Sequence, residues 1–371
     1  MKWVATFNTM TFDLASILRP HILNLVPYSS ARDEYTGKEG VFLDANENPY
    51  QLVNGQHWNR YPDPYQWAIK EKLAPIKGVR PSQIFLGNGS DEPIDLLVRA
   101  TCTPREDNIL IMPPTYGMYQ VSADINDVPV IKVPLTPDFQ INTEKVLAAV
   151  TPNTKIVWIC SPNNPSGNLV KKESILAILA NFSGLVVVDE AYIDFAELPE
   201  GSTFAEASTV SFTNELDNYP NLIVLQTFSK AWGLASLRLG MCFASEEIIK
   251  VLNKIKPPYN LSGATQAILL EALDFVETKN QLVKEILAER DRLAQELVAI
   301  PTVRHIYPSD ANFLLVKFEK AKQLFDDLIE QKIIVRDRSK VTLCEDCLRI
   351  TVGTSEENKV LLEALKQLSN R

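Results

Sequence analysis

Lys230 is the residue of this sequence whose type and neighbours best suit covalent chemistry. It lies in Thr227-Phe228-Ser229-Lys230-Ala231-Trp232-Gly233, directly after the mostly apolar stretch 222–226. Apolar surroundings lower the pKa of an ammonium group, and the resulting neutral amine is a nucleophile that forms Schiff bases. Most lysines are solvated surface residues, so the argument for Lys230 depends on the residues that accompany it.

An arginine follows the lysine in the segment Leu237-Arg238-Leu239-Gly240. Its planar guanidinium can bind an oxyanion through two parallel hydrogen bonds, and Ser229 adds a hydroxyl donor. Together, Arg238 and Ser229 predict a binding site for a phosphate group beside the lysine.

A glycine-containing turn, Gly87-Asn88-Gly89-Ser90-Asp91-Glu92, offers a second set of phosphate donors. It follows the predicted strand 84–86 and opens a helix at Pro93. Glycines let the backbone turn tightly, and Ser90 or Asp91 can cap the helix. Free N–H groups and the helix dipole then attract an anion. A plain capped turn has the same pattern, so this signal is weak alone.

Two further polar segments follow predicted strands. Ser161-Pro162-Asn163-Asn164-Pro165-Ser166-Gly167 is typical of a stiff, irregular loop that presents an amide side chain, although a simple turn is the plainer alternative. Asp189-Glu190-Ala191-Tyr192 places carboxylates at the end of a buried strand, where a charge is costly unless it is paired. The partner could be a cationic ligand, or the acids could form an ordinary ion pair or helix cap.

The order of these features along the chain resembles that of the fold-type I pyridoxal-phosphate aminotransferases. A phosphate cradle, an amide, a carboxylate, a lysine and an arginine follow one another, each at a strand end. The resemblance extends from about Asn24 to the C-terminus. Several phrases resemble the histidinol-phosphate aminotransferase subfamily in particular: Val26-Pro27-Tyr28, Leu43-Asp44-Ala45-Asn46-Glu47-Asn48-Pro49, Arg60-Tyr61-Pro62, Pro113-Pro114-Thr115-Tyr116-Gly117 and Leu348-Arg349-Ile350-Thr351-Val352-Gly353.

This resemblance implies that Lys230 holds pyridoxal 5'-phosphate as a Schiff base and later moves a proton between the substrate Cα and the cofactor. Asp189 would pair with the pyridine nitrogen, so that the ring accepts electrons. Asn164 and Tyr192 would hydrogen-bond the 3' oxygen of the cofactor, and Tyr116 would stack on its ring. The implied catalytic residues are Lys230, Asp189 and Tyr192.

The resemblance also implies how the anionic groups are held. The cofactor phosphate would be bound by Ser90, Asp91, Thr227, Ser229 and Arg238. Tyr61 would reach across a subunit interface to the partner's cofactor, which implies a homodimer. Tyr28, Arg336 and Arg349 would bind the substrate, although the two arginines could instead form surface ion pairs with Asp337 and Glu345.

The implied reaction is transamination of L-histidinol phosphate with 2-oxoglutarate, giving imidazole acetol phosphate and glutamate in histidine biosynthesis. Three alternatives remain. An aminotransferase for aromatic amino acids uses the same machinery, and a threonine-phosphate decarboxylase shares the fold. A cofactor-binding regulator without catalytic activity is the third, although the four residues Lys230, Asp189, Asn164 and Arg238 all favour an enzyme.

The elements that must position these residues alternate between apolar stretches and helical ones. The runs at 156–159 and 186–188 are apolar without alternation, which is typical of strands covered on both faces. This rhythm predicts an α/β domain with a mostly parallel seven-stranded sheet. The predicted strands are 84–86, 108–112, 128–133, 155–160, 185–188, 222–226 and 239–244.

The sequence after 258 predicts a smaller α+β domain. A long helix would bury Leu282, Ile286, Leu293 and Leu297 on one face, and Thr354 and Glu357 have the spacing of a capping box. The other predicted elements are strands 312–318, 333–336 and 348–352 and a helix 321–331. We therefore predict an N-terminal arm (1–40), a large cofactor-binding domain (41–258) and a small C-terminal domain (259–371).

Composition restricts the remaining possibilities. The net charge of −9 argues against general affinity for nucleic acid. The chain contains no long apolar run and no signal-like N-terminus, so we expect a cytoplasmic protein.

Cys344 and Cys347 provide only two ligands, which is too few for a zinc site, so we expect no metal and two free thiols in a surface turn. His21, His57 and His305 have no metal-ligand spacing and are expected to be structural or surface residues.

Overall fold

A computed structural model describes residues 12–29, 40–53, 58–196 and 210–369 of the chain. Seven strands form the larger of two sheets, in the order β1-β7-β6-β5-β4-β2-β3. Among these strands, β7 runs antiparallel to its neighbours and the others are parallel to one another. The strands are β1 (Ile84–Asn88), β2 (Asn108–Ile111), β3 (Val130–Lys132), β4 (Thr154–Cys160), β5 (Leu185–Asp189), β6 (Leu222–Thr227) and β7 (Leu239–Ala244).

This sheet confirms the predicted α/β class, and each strand lies within two residues of its predicted bounds. Its central strands are buried on both faces. Val186 and Val188 belong to one apolar core, whereas Leu185 and Val187 belong to the core on the opposite face. Two hydrophobic cores explain why the strand sequences show no polar alternation.

Helices cover both faces of the large sheet. Two one-turn helices precede the first strand in the chain, and Ile17 at the end of the first of them is buried in one of the two cores. These helices are α1 (Leu14–Ile17), α2 (Pro20–Leu23), α3 (Trp67–Lys77), α4 (Asp91–Thr101), α5 (Met118–Ile125), α6 (Thr143–Ala149), α7 (Lys172–Asn181), α8 (Glu246–Ile255) and α9 (Gly263–Ala272).

The second sheet is four-stranded and antiparallel, in the order β10-β11-β9-β8, and three helices accompany it. Their apolar side chains share one core, which makes this part α+β as predicted. The elements are α10 (Val276–Val298), β8 (Val303–Ile306), β9 (Phe313–Phe318), α11 (Ala321–Glu330), β10 (Arg336–Asp337), β11 (Cys347–Thr351) and α12 (Ser355–Ser369).

Three details of this second part differ from the prediction. The strand expected at 333–336 begins only at Arg336, and β8 was not predicted because Arg304 and His305 interrupt its apolar residues. In α10, Val283 is buried whereas Leu282 is half exposed. The predicted capping box is confirmed, since Thr354 N–H donates to Glu357 Oε2 at 2.8 Å and Glu357 N–H donates to Thr354 Oγ1 at 3.3 Å.

The strands of the two sheets come from different parts of the chain, one before and one after residue 258. The three-part division of the chain stays a prediction.

Cys344 and Cys347 are free thiols, but they are buried instead of lying in a surface turn, because their loop folds onto the apolar core. His21 and His305 are exposed, and His57 lies outside the described residues. Within the described ranges, no helix is both long and apolar enough to cross a membrane.

Candidate active site

One small cavity, of about 150 Å³, lies at the edge where the parallel strands of the large sheet end. Open α/β sheets place their ligands at this edge. Ten of the residues predicted to bind the cofactor line the cavity, together with Gly89, Cys160 and Ala191. The ten are Ser90, Asp91, Tyr116, Asn164, Asp189, Tyr192, Thr227, Ser229, Lys230 and Arg238.

Asp189 is the last residue of β5 and lies on the floor of the cavity. It is almost fully buried, and burial raises the pKa of its carboxyl from 3.8 to about 6. Two donors hold the carboxylate: the Tyr119 hydroxyl donates to Oδ2 at 2.6 Å and the Ala191 N–H donates to Oδ1 at 3.1 Å. A buried carboxylate held in one orientation is suited to pair with a cationic ligand.

The adjacent acid, Glu190, takes no part in this cavity. Its side chain accepts hydrogen bonds from Ser211 Oγ at 2.6 Å, Phe212 N–H at 2.7 Å and Gln226 Nε2 at 2.9 Å. Successive residues leave a strand end on opposite sides. Glu190 therefore connects β5, β6 and the segment around residue 211, and the carboxylate available for chemistry is Asp189.

Lys230 occupies the turn after β6, which is closed by a hydrogen bond from Gly233 N–H to the Lys230 carbonyl at 3.0 Å. Solvent reaches the side chain through the mouth of the cavity, and Nζ lies 5.5 Å from the centroid of the Tyr192 ring. Burial of its inner part lowers the pKa of the ammonium, as do the charges of Arg349 and Arg238. A lowered pKa favours the neutral, nucleophilic amine.

A phosphate cradle forms the opposite end of the cavity, where the β1–α4 turn meets the start of β7. Gly89 adopts a positive φ of 69° and donates its N–H to the Arg238 carbonyl at 2.7 Å. A Cβ at Gly240 would lie 2.2 Å from the Gly89 carbonyl carbon, so only glycine permits this approach. Arg238 Nη2 lies 3.5 Å from Asp91 Oδ2, which orients the guanidinium beside the start of α4.

Tyr116 and Thr227 lie beside this cradle. The Tyr116 hydroxyl donates to Asp91 Oδ1 at 3.1 Å, and its ring meets that of Tyr119 edge-on, with the centroids 5.6 Å apart. Thr227 Oγ1 accepts from Ser229 N–H at 3.0 Å and donates to the Leu239 carbonyl at 3.2 Å. These contacts fix the residues predicted to stack on the cofactor ring and to hold its phosphate.

Arg349, on β11 of the second sheet, contacts a residue that lines the cavity. Its Nη1 donates to the side-chain oxygen of Asn164, and its guanidinium lies 5.2 Å from the centroid of the Phe313 ring. Burial lowers the pKa of this guanidinium. Because Asn164 is neutral, the positive charge of Arg349 stays available for an anionic substrate.

Four predicted residues are not among those that line the cavity, and one of them is Arg349, which contacts the lining residue Asn164. Tyr28 and Tyr61 line a separate, larger groove and are exposed, and the Tyr61 ring stacks on Tyr259 with the centroids 4.5 Å apart. Arg336 is exposed on β10. The predicted role of Tyr61 requires a second subunit, so its place on the surface of one chain does not test it. The roles of Tyr28 and Arg336 also stay predictions.

Sequence reasoning missed Tyr119, Cys160 and Arg338. Tyr119 is fully buried, follows Tyr116 by less than one helical turn, and stacks on Trp158 with the centroids 4.9 Å apart. Tyr116 lies just before α5 and Tyr119 in its first turn, and their closeness in the sequence was the available signal. Cys160 is buried opposite Asp189 in the strand register, and Arg338 lies near Arg349.

The donor set of the cavity fits pyridoxal phosphate. The hydroxyls of Ser90, Thr227 and Ser229 and the guanidinium of Arg238 suit a phosphate at one end, and the buried Asp189 suits a protonated ring nitrogen. Lys230 lines the same cavity, and its amine suits the covalent attachment of an aldehyde. Such an arrangement of an anion cradle, a carboxylate and an amine is what binding of this cofactor requires.

Comparison with known proteins shows which family this site belongs to. A family profile described as aminotransferase class I and II matches residues 34–365. A histidinol-phosphate aminotransferase of Cytophaga hutchinsonii is 57% identical to the chain, over 96% of this chain and 99% of that protein. The chain belongs to the histidinol-phosphate aminotransferase family. This confirms the subfamily suggested by the sequence phrases.

Solved structures of histidinol-phosphate aminotransferases have the same fold. The enzyme of Clostridium acetobutylicum has a TM-score of 0.75 at 25% identity, covering 84% of this chain and 91% of that one. The enzyme of Sinorhizobium meliloti, solved in complex with pyridoxal-5'-phosphate, has a TM-score of 0.74 at 25% identity, covering 84% and 83%. Fold type I, expected from the sequence, is therefore confirmed.

Proposed function

We propose that this protein transfers the amino group of L-histidinol phosphate to 2-oxoglutarate, using pyridoxal 5'-phosphate. The products are imidazole acetol phosphate and glutamate, and the reaction belongs to histidine biosynthesis. The observation that carries this proposal is the arrangement of Lys230 and Asp189 in one cavity with a phosphate cradle at its end. The 57% identity to a histidinol-phosphate aminotransferase over nearly the whole chain supports the choice of substrate.

The cofactor would be held at three places by this chain. Lys230 Nζ would be its covalent attachment point, and Asp189 would bind the ring nitrogen. Its phosphate would be bound by Ser90, Asp91, Thr227, Ser229 and Arg238. Tyr192 and Asn164 would donate to the 3' oxygen, and Tyr116 would cover the ring. When bound, pyridoxal phosphate acts as an electron sink that weakens the bonds to the substrate Cα.

Lys230 would also move the proton that transamination requires. When it is not attached to the cofactor, Lys230 Nζ would take the proton from the substrate Cα and later give it up again. The neutral amine is the form that accepts a proton, and the lowered pKa of Lys230 favours it. Asp189, held by Tyr119 and Ala191, would keep its charge beside the ring nitrogen throughout.

The substrate anion would be bound by Arg349, with Arg336 and Tyr28 as further donors. Arg349 lies next to the cavity, since it donates a hydrogen bond to the lining residue Asn164. It can hold either the phosphate of histidinol phosphate or a carboxylate of glutamate, because a guanidinium binds both kinds of oxyanion through two hydrogen bonds.

We also propose that the protein acts as a homodimer in the cytoplasm. Tyr61 is exposed and lies at a groove lined by Tyr28, Pro64 and Lys254, so its hydroxyl is available to a second subunit. It would reach the cofactor phosphate of that subunit. A measured molecular mass of a monomer at working concentrations would contradict this part of the proposal.

Titration of the cofactor-loaded protein with single substrates tests the proposed reaction. We expect L-histidinol phosphate and glutamate each to abolish the visible absorbance band of the bound cofactor, and phenylalanine to do so far less efficiently. Efficient loss of the band with phenylalanine but not with histidinol phosphate would favour an aromatic aminotransferase. Release of carbon dioxide from threonine phosphate without a keto acid would favour the decarboxylase.

A further inference from the structure

Three arginines share one face of the second sheet. Arg336 on β10 pairs with Arg349 on β11 in the antiparallel register, so their side chains lie on the same face. Arg338 follows Arg336 by two residues and continues the ladder, since its N–H donates to the Cys347 carbonyl at 2.9 Å. Alternation along an extended chain puts Arg338 on the face that carries Arg336 and Arg349.

None of these three arginines forms an ion pair with a carboxylate in the part of the chain that the structure describes. Arg349 donates to the neutral amide of Asn164, and Arg338 Nε is buried without a hydrogen-bond partner. Asp337 alternates to the opposite face, where it accepts from Ser339 N–H at 2.8 Å. The sequence alternative, in which Arg336 and Arg349 pair with Asp337 and Glu345, is therefore not what the structure contains.

Such a cluster is unfavourable unless an anion binds to it. Burial lowers the pKa of Arg338, and the charges of Arg349 and Arg336 lower it further. Like charges at short range repel one another, and a buried guanidinium nitrogen without an acceptor loses hydration that nothing replaces. A ligand with two negative charges and several oxygen acceptors would relieve both costs.

The cluster lies on the substrate side of the cavity. Arg349 bonds Asn164, and both Asn164 and Tyr192 line the cavity. The Arg349 guanidinium lies 5.2 Å from the centroid of the Phe313 ring, and that ring meets the Tyr192 ring edge-on with the centroids 5.1 Å apart. Burial raises the pKa of the Tyr192 hydroxyl, and the positive charges of Arg349 and Arg338 oppose that effect. An anionic group of a substrate whose amine is near Lys230 would extend toward these arginines.

We propose that Arg338 is a specificity-determining residue that binds the phosphate group of the substrate together with Arg349 and Arg336. This inference rests on the proposed function. A phosphate monoester carries up to two negative charges and three terminal oxygens. After Arg349 has bound two of these oxygens, the third can still accept hydrogen bonds from another residue. A carboxylate has one charge and two oxygens, which Arg349 alone can satisfy. Arg338 therefore favours histidinol phosphate over glutamate.

Binding of a simple alkyl phosphate tests the role of Arg338 without catalysis. Propyl phosphate has no amino group to transfer, and its affinity for the cofactor-loaded protein can be measured by calorimetry at pH 7.5. We expect Arg338→Gln to raise its dissociation constant by about tenfold or more, as for a lost charge-assisted hydrogen bond. The matched control is Arg304→Gln, which removes an exposed arginine from β8 that pairs with Glu319, and should leave the constant unchanged.

Steady-state kinetics provide the second test. In Arg338→Gln, the KM for histidinol phosphate should rise by about tenfold or more while the KM for glutamate changes by less than about threefold. Arg338→Lys keeps the positive charge but lacks the planar guanidinium group, so it should give an intermediate KM for histidinol phosphate. If Arg338→Gln fails to fold, propyl phosphate binding by the lysine variant decides the question.

The outcomes separate this inference from the proposed function. Unchanged affinity for propyl phosphate in Arg338→Gln, with wild-type turnover of histidinol phosphate, would overturn the role of Arg338 and leave the function intact. An equal loss for propyl phosphate and for glutamate would also overturn it, since Arg338 would then not discriminate. Failure of the wild-type protein to react with histidinol phosphate would instead contradict the proposed function.

Discussion

The Tyr119 hydroxyl donates a hydrogen bond of 2.6 Å to Asp189 Oδ2, and both side chains are buried beneath the cavity. Tyr119 is fixed in turn by stacking on Trp158, with ring centroids 4.9 Å apart. A donor on a rigid support stabilises the ionised carboxylate and fixes its orientation. Asp189 is thereby held in one orientation, as its proposed pairing with a cationic ring nitrogen requires.

Tyr119→Phe should weaken binding of pyridoxal phosphate, because the variant keeps the stacked ring but loses the donor to Asp189. A hydrogen bond to a charged group stabilises by about 1.5–3 kcal/mol, so we expect the dissociation constant of the cofactor to rise roughly tenfold or more. Titration of the cofactor-free protein, followed by absorbance, measures this change. Unaltered affinity would show that Tyr119 only fills space.

A double-mutant comparison sharpens this prediction. In an Asp189→Asn background the Tyr119 hydroxyl has no carboxylate to stabilise, so the further change Tyr119→Phe should have little effect on cofactor affinity. Additive losses in the double variant would mean that the two side chains act independently.

Asp189→Asn should make the cofactor-free protein more stable at pH 7.5 while it abolishes most of the activity. The pKa of Asp189 is raised to about 6 in the folded protein, so the stability linked to its protonated form is fully present below pH 3.8 and is lost as the pH rises through 6. The ionised carboxylate then costs about 3 kcal/mol at neutral pH. Asparagine avoids this cost.

Thermal unfolding of the cofactor-free proteins at several pH values tests this prediction. The advantage of Asp189→Asn should be largest above pH 6 and should shrink as the pH falls toward 3.8, where the wild-type carboxyl is itself neutral. A variant less stable than the wild type at pH 7.5 would show that burial of this charge is fully compensated without a ligand.

Gly240→Ala should disrupt the phosphate cradle, because the added Cβ would lie 2.2 Å from the Gly89 carbonyl carbon and 2.3 Å from Ser90 N. Overpacking of this kind costs about 1–3 kcal/mol, and here it would displace the turn that is proposed to hold the phosphate. We expect a loss of cofactor affinity of at least about tenfold. The control is Gly263→Ala, where the nearest atom lies 3.7 Å from the added Cβ, and its affinity should be that of the wild type.

Asp194→Asn should destabilise the protein, because it removes the carboxylate that pairs with two lysines. Asp194 Oδ1 lies 2.9 Å from Lys279 Nζ and 3.8 Å from Lys77 Nζ, and so connects the loop after β5 to α10 and α3. Burial alone would raise the pKa of Asp194, but the two lysines outweigh it and lower the pKa. Removing one partner of a buried pair costs about 3–5 kcal/mol.

Denaturant unfolding at neutral pH measures the cost of Asp194→Asn. Because the folded pKa is lowered, the stabilisation by Asp194 is present above pH 3.8 and is lost as the pH falls through the folded value, so the two proteins should converge in strong acid. Asp326→Asn on α11, which removes an exposed ion pair with Lys322, is the control and should change stability little. Equal effects of the two substitutions would contradict the prediction.

The parts of the fold that the sequence predicts best are those where burial is uniform. The large-sheet strands are apolar on both faces, so their residues identify them without knowledge of their neighbours. The errors occur where burial depends on the neighbour: Leu282 is half exposed and Val283 buried because the orientation of α10 decides between them. Similarly, the loop with Cys344 and Cys347 packs onto the core, which its polar residues Glu345 and Asp346 do not indicate.

That the ten residues lie together in one cavity was also predictable, because each is near a strand end at the same edge of the sheet. The supporting residues were not. Tyr119 acts through Asp189, which is 70 positions away in the chain, and nothing in the local sequence relates the two. Arg338 becomes notable only when the register of β10 and β11 places it beside Arg349. Such relationships are properties of the folded chain.

Reduction of the cofactor-loaded protein with borohydride, followed by peptide mass spectrometry, tests the central claim most directly. The reagent fixes pyridoxal phosphate on the amine that carries it. We predict that the modified residue is Lys230 and that Lys230→Arg binds the cofactor without becoming labelled or turning over substrate. Labelling of a different lysine, or full turnover by Lys230→Arg, would contradict the assignment of this cavity as the active site.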